Sequence, residues 1–328
     1  MTNKMIELKD SLRGWGKEIV SFCRAKPLGA AGAFILLAFI LIALFAPLLI
    51  THDPDAQVLA DRLQGPSYQH LMGTDDYGRD VYSRIIWGSR TSLYVSLLAV
   101  ALGTILGTII GLTSGYFGGI YDLIMQRLMD SLMSIPGLVL AMVIMAALGT
   151  NINNVVLAIG IAIMPHHARI VRGATLSIKA SPFIEAAHAI GSRNLRIQLV
   201  HILPNVTAPI IIMATAGLGS AILTESSLSF LGLGVPPPEP SWGRMLSGSA
   251  RKYMETAPWL VIFPGLAISL AVLGFNLFGD SLRDWWDPKL RGARRTGMRL
   301  KVGKIKGPGK KLSWISRKPA VSEEACKS

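Results

Sequence analysis

Cysteine is almost missing from the chain: Cys23 and Cys326 are its whole complement, and they stand in opposite terminal segments. Neither has metal-ligating neighbours, which excludes a disulfide framework and a cysteine-based zinc site. Charge is scarce as well. Asp, Glu, Lys and Arg make up 16% of the 328 residues while 51% are apolar, a balance that excludes an ordinary soluble domain and points to a polytopic membrane protein. Acidic groups are nearly absent near the C-terminus. Residues 289–328 hold thirteen Lys or Arg against Glu323 and Glu324, so this stretch carries +11 of the +13 net charge. The body is close to neutral, which argues against nucleic acid as a partner. The tail has no apolar periodicity and reads as a disordered basic segment that serves topology and contact with anionic lipid.

Catalytic patterns are missing too. The histidines His166, His167, His188 and His201 show no His-Glu-x-x-His spacing, and surface or packing roles are expected for them. The phosphate-loop pattern fails at its nearest approach, KIKGPGKK, where Lys304 replaces the first glycine and Lys311 the Ser or Thr that would hold magnesium. No catalytic residue, cofactor or metal site is therefore expected. In LMGTDDYGRDVYSRIIWGSR the residues Asp75, Asp76 and Asp80 lie close together, but Arg79, Arg84 and Arg90 are interleaved and oppose a cation. Asp80 is expected instead to begin a short amphipathic helix that turns Val81, Ile85 and Ile86 toward the membrane. This face of the protein offers no evident cluster of His or Met.

Long apolar runs are what the sequence does have. About 20 apolar residues cross the hydrocarbon core, and Gly29 to Leu49, Ser92 to Ser114, Val206 to Thr224 and Thr256 to Phe278 meet that length. Ser131 to Leu148 and Asn154 to Val171 are less tidy, and bring the expected count to six. The first run is read as a retained span. With six spans, the termini, the 115–130 turn and the 165–205 loop share a face holding 26 of the 33 Lys and Arg. That face is expected to be cytoplasmic. Within the second span Gly103, Gly107, Gly111, Gly115 and Gly119 recur every fourth residue, a stripe along which another helix can approach closely. Glu225, in AILTESSLSFLGLG, is an acidic residue near the end of a span. Pathway lining and local bonding to Ser226, Ser227 or Ser229 both remain open for it.

Between two spans lies SPFIEAAHAIGSRNLRIQLVHILP, residues 181 to 204. Ser181 followed by Pro182 reads as an N-cap and first-turn pair, with the hydroxyl accepting a free backbone N–H. Glu185 follows near the positive helix end. Ala186, Ala187 and Ala189 keep the surface low, and Gly191 suits a left-handed closing residue. Ser192 is expected to cap a second helix with Leu195, Leu199 and Ile202 on one side, ended by Pro204. A smooth, short helix held between spans suits insertion into a partner's groove.

Glu185, Ala186, Ala187, Gly191, Leu203 and Pro204 match the EAA-x3-G-x9-I-x-L-P loop of bacterial ABC importer permeases, with His201 standing where the broad pattern has Ile. Further matches lie in GTDDYGRDVYSRIIWGSR, GYFGGIYD, ESSLSFLGLG and PSWGRML. The chain thus resembles the dipeptide/oligopeptide/nickel class of these permeases over about residues 28 to 291. The resemblance implies an all-α, six-span type I ABC importer permease fold. It further implies a cytoplasmic segment 1–27, a transmembrane domain 28–291 with a coupling loop at 180–204, and a basic tail 292–328. Ser181, Glu185, Ala186, Ala187, Gly191, Leu203 and Pro204 would then couple to the ATPase. The implied partners are a homologous permease, two ABC ATPase subunits that hold ATP and Mg, an external substrate-binding protein and the bilayer. Short peptides are the favoured cargo, with nickel complexes or glutathione-like compounds as alternatives. A secondary transporter is the rival class, and would need internal repeats and ion ligands at midplane.

Overall fold

Apolar runs in a bilayer fold as helices because every backbone polar group must be satisfied without water. The structure, a computed structural model, describes Cys23 and residues 26–286. The remaining N-terminal residues and 287–328 lie outside the described residues, and with them the expectations for the basic tail. Helix α1 is Pro27–Leu44, with proline in the first turn where its missing N–H is not needed. A short turn, Ala46–Leu49, follows. Helix α2 is Val81–Phe117, and its 37 residues reach about 55 Å at 1.5 Å each, well beyond a hydrocarbon core of about 30 Å. Then come α3 (Gly119–Met133), α4 (Gly137–Leu148) and α5 (Ile152–Lys179). The short α6 (Pro182–Ala189) precedes α7 (Leu203–Phe230), and two short helices, Trp242–Leu246 and Ser249–Lys252, precede α8 (Trp259–Trp286). Five helical stretches are long and apolar enough to span, or up to six if the bent pair α3 and α4 counts as one. Among the described residues no strand forms, and Thr74 and Asp80 make one isolated antiparallel bridge.

Two expected spans change shape. Ser131 to Leu148 is not one helix: α3 and α4 meet at 89°. Pro136 bars the residue before it from helical backbone and lacks the N–H the helix would use. The expected fourth span continues eight residues past Val171, to Lys179. The charges that seemed to end it are compensated along its flank. The Arg172 Nε donates to Asp122 Oδ1 at 2.6 Å and Nη2 to Oδ2 at 2.5 Å, while Arg169 pairs with Asp130. Both pairs tie α3 to α5, and a bidentate guanidinium–carboxylate fork resists sliding as well as separation.

The glycine stripe faces α5. A Cβ at Gly103 would lie 2.7 Å from the Gly160 carbonyl oxygen, one at Gly107 2.9 Å from the Ala168 nitrogen, and one at Gly111 2.4 Å from the Ala168 carbonyl oxygen. Gly115 meets Thr175. Gly119 does not belong to the stripe: α2 ends at Phe117, and Gly118 and Gly119 turn the chain with φ of 68° and 61°. A period of four held over five positions overran the end of the helix.

Three apolar clusters succeed one another along α2. Val81 and Ile85 pack with Ile222, Trp242 and Leu260 at one end. Val95 and Ala99 pack with Met145, Ile159 and Leu228 in the middle. Leu112 and Tyr116 pack with Val171, Ile184 and Ile202 at the other end. Asp80 does begin a helix, its Oδ2 accepting from the Ser83 N–H at 2.8 Å. That helix is not short, and Val81, Ile85 and Ile86 are buried rather than turned to the membrane. The chain around Trp242 covers them, with the indole Nε1 donating to the Ile85 carbonyl at 3.1 Å.

Candidate functional site

Helix α6 shows the short exposed face and the left-handed closing residue expected of residues 181–191. Ile184 and Ala187, three residues apart on one face, are buried in an apolar cluster with Ile197 and Ile202 and with Leu112, Tyr116 and Val171 of α2 and α5, while Glu185, Ala186 and Ala189 stay exposed. Gly191 has φ of +76°. The Ser192 N–H donates to the Ala187 carbonyl at 3.1 Å and the Gly191 N–H to that of His188 at 2.9 Å, the paired bonds of a Schellman closure. The chain leaves α6 at a set angle because only a left-handed residue completes both bonds.

The N-terminus of α6 differs from expectation. Ser181 occupies the N-cap in extended backbone, yet its hydroxyl makes no capping bond. Pro182 already removes one unpaired donor there, which leaves less for a hydroxyl to satisfy. Ser181→Ala should therefore change stability by less than about 0.5 kcal/mol, against about 1 kcal/mol for a working cap. Thermal unfolding of the assembled complex in detergent measures the difference, and a loss near the larger figure would show that the hydroxyl does cap.

The second half of the loop is continuous with α7. Ser192 does not cap it; the helical turn Asn194–Arg196 starts after Arg193 and passes into a π-helical stretch, Ile197–Ile202, that joins α7. Pro204 therefore lies in the first turn of α7 and does not end a helix. A proline ring clashes with the carbonyl four residues earlier, and one widened turn relieves that clash. The widening also rotates the face. Leu195 and Leu199 are 67% and 50% exposed, and the buried side is Ile197, Gln198 and Ile202.

A network unexpected from the sequence holds this loop to α2. The Tyr116 hydroxyl donates to Asn194 Oδ1 at 2.8 Å, its ring stacks on His188 with centroids 6.1 Å apart, and Lys179 Nζ donates to the Tyr116 carbonyl at 2.6 Å. The signal was present: Tyr116 is the first of three aromatics in GYFGGIYD. Of the other histidines, His167 is buried in α5 with its Nδ1 3.0 Å from Thr104 Oγ1, a packing role as expected.

At the opposite end, Glu225 is fully buried. The Ser229 hydroxyl donates to its Oε1 at 2.8 Å, and Ser92 and Ser226 lie 3.4 Å from Oε2. Ser227 instead donates to the Leu223 carbonyl. Of the local partners considered for Glu225, Ser226 and Ser229 are engaged with its carboxylate and Ser227 is not. The motifs ESSLSFLGLG and PSWGRML interlock here. The Trp242 N–H donates to Ser92 Oγ at 3.3 Å, and a Cβ on Gly243 would sit 2.4 Å from Ser226 Cα. Glycine is required at 243 because backbone meets backbone.

The arginines near Asp80 are also engaged. Arg79 Nε donates to Asp75 Oδ2 at 2.6 Å, Arg84 Nη1 to the Pro54 carbonyl at 2.7 Å, and Arg90 lies over the Trp87 ring. One reading is corrected here. His52 and His70 lie with ring centroids 4.8 Å apart and tilted at 33° beside Asp80, so this face does contain a histidine cluster, assembled by the loop from positions eighteen residues apart.

Residues 103–292 of the chain match the family described as binding-protein-dependent transport system inner membrane component. Residues 17–66 match the N-terminal TM domain of oligopeptide transport permease C. The dipeptide transport system permease protein DppC of Alkalihalophilus pseudofirmus is 46% identical, over 84% of this chain and 90% of that protein. The glutathione transport system permease protein GsiD of Escherichia coli O1:K1 / APEC is 43% identical over 82% of this chain and 89% of its own length. Among solved structures, the MetNI methionine ABC transporter in inward facing conformations covers 61% of this chain and 96% of its own, with 16% identity and a TM-score of 0.47.

Proposed function

The chain belongs to the family of binding-protein-dependent transport system inner membrane components, and from that membership we propose that it carries short peptides inward as one of two paired permease subunits. The observation that carries the cargo is 46% identity along 84% of the chain to a protein named for dipeptide transport. Its partners in this reading are a homologous permease, two ABC ATPase subunits and an external binding protein that delivers substrate. ATP and Mg belong to the ATPases, and this chain neither binds nor hydrolyses ATP.

Coupling is assigned to α6 and its flanks: Ser181, Glu185, Ala186, Ala187, Gly191, Leu203 and Pro204. The low exposed surface of Ala186 and Ala189 and the closure at Gly191 support that role. In this reading the ATPases close on ATP and draw the two α6 helices together. Each α6 moves the spans through Ile184 and Ala187, which share an apolar cluster with the stretch leading into α7 and with residues of α2 and α5. The α6 end and both termini are cytoplasmic, and the His52 to Asp80 region is external, following the distribution of Lys and Arg. The permease domain is 28–291, with 1–27 and 292–328 as cytoplasmic extensions.

Glutathione is the second reading, favoured by 43% identity to a glutathione permease. It shares amide and carboxylate chemistry with dipeptides. Nickel complexes follow from the class resemblance alone. Cells lacking this chain should lose uptake of radiolabelled dipeptides and regain it on complementation. Excess unlabelled dipeptide should compete, and excess glutathione should compete less. Complementation that restores uptake of glutathione or of chelated nickel, with no dipeptide uptake, would overturn the cargo.

A further inference from the structure

The loop that precedes α2 folds three donors toward one point. Asp80 Oδ1 lies 3.0 Å from His70 Nδ1 and 3.9 Å from His52 Nδ1, and one ligand atom from each of the three residues lies within 4.8 Å of the others. We propose that His52, His70 and Asp80 form a binding site for a borderline-soft divalent transition ion, of which Zn2+ is the probe, and that the ion clasps the loop to the start of α2.

The donor set selects the ion. Two imidazole nitrogens and one carboxylate oxygen suit zinc and its neighbours, whereas calcium and magnesium take oxygen alone. Metal–donor bonds of about 2.0–2.2 Å put tetrahedral donors about 3.3 Å apart, between the two distances observed. Small rotations of the imidazoles would equalise them. The half-exposed His52 ring borders a cavity of about 320 Å³ that Asp53 and Asp61 also line. A fourth position can therefore be filled by water or one of these carboxylates, and their charge favours a cation. The interleaved arginines do not oppose it. Arg79 and Arg84 are engaged elsewhere, and among the described residues no Lys or Arg lines the cavity.

His70 and Asp80 already share a hydrogen bond, with Asp80 Oδ2 committed to the helix cap. That pair explains two of the residues as structure without a metal. It does not explain why a second imidazole, whose Nδ1 also meets Thr51 Oγ1 at 3.0 Å, lies tilted against the first with that Nδ1 3.9 Å from the same carboxylate oxygen. On coordination the proton between His70 and Asp80 leaves to water, as metal binding requires. The ion would join residues 51–53, the turn at 67–70 and the head of α2. The inference stands on this geometry and does not depend on the cargo.

The test uses the assembled transporter purified through a histidine-free tag on this chain. Zinc is titrated against a competing chelator dye, and metal content is read by mass spectrometry. One tight equivalent per chain is expected. His52→Ala should weaken binding at least about tenfold, the scale of disturbing a ligand or its support, and so should His70→Gln. His166→Ala, in α5, should leave zinc affinity unchanged. Zinc should also raise the melting temperature of the unsubstituted protein and not of His52→Ala. Should His70→Gln fail to assemble, His52→Ala decides, because it keeps the His70–Asp80 bond and the cap. Absence of tight zinc in the unsubstituted protein, or equal affinity in His52→Ala, would overturn the site.

Discussion

Gly191→Val is expected to remove substrate-stimulated ATP hydrolysis from the assembled transporter, while Gly191→Asn should retain it. Gly191 sits at φ +76° and an added Cβ meets nothing within 4 Å. Any effect of substitution therefore comes from backbone strain and not from a clash. A side chain with a branched Cβ resists the left-handed region by about 1–2 kcal/mol, whereas Asn tolerates it. Helix α6 has eight residues, and its buried anchors are Ile184 and Ala187. It cannot absorb that strain, and the Schellman bonds to Ala187 and His188 give way first. The exit angle of the chain then changes, and with it the surface offered to the ATPase. A strain of this size corresponds to roughly five- to thirtyfold in the population of the docking geometry. Glu185→Lys should weaken docking too, by placing positive charge at the positive helix end. The measurement is ATPase activity with and without loaded binding protein, beside a pull-down of the ATPase subunits. Equal stimulation in Val and Asn variants would mean that the left-handed closure is not what aims α6.

The second large effect is expected at Gly111. A Cβ there would lie 2.4 Å from the Ala168 carbonyl oxygen and 2.9 Å from the Arg172 nitrogen. Those atoms belong to a helix backbone and cannot step aside as a side-chain tip could. Gly111→Ile must force α2 and α5 apart, disturbing the apolar contacts beside it and the Arg172–Asp122 fork. Overpacking of this kind costs about 1–3 kcal/mol, and here the displaced partner is a whole helix, so the upper end is expected. Gly173→Ala supplies the comparison. It lies on α5 itself, meets nothing within 4 Å, and should stabilise its helix by about 0.5–1 kcal/mol because alanine loses less backbone freedom. Melting of the purified chain in detergent, followed by size exclusion, should separate the two variants in opposite directions. If Gly111→Ile melts with the unsubstituted protein, the close helix approach described here is wrong.

Much of the chain is legible from its residues, for reasons that differ from place to place. The apolar runs are legible because in lipid a helix is the available answer. The closing role of Gly191 is legible because a left-handed residue after EAAHAI has one cheap solution. The four-residue glycine period announces a close helix neighbour, though not which one. Missed features share a cause, namely dependence on a partner distant in sequence. Arg172 stood just past the expected end of a span and Arg169 inside it, until Asp122 and Asp130 came beside them. Leu195 and Leu199 are a local exception: a widened turn just before Pro204 separates them from the buried Ile202.

The amino-acid sequence by itself determined the all-helical membrane class and the place of the polar loop at 181–204. Each of these rests on local periodicity, on apolar length, or on a backbone position that admits few residue types. Only the tertiary structure decided the enclosure of Glu225 by hydroxyls from α2 and α7, and the meeting of His52, His70 and Asp80. Those depend on where loops return in space, which is set by the packing of whole helices and leaves no periodic trace along the chain.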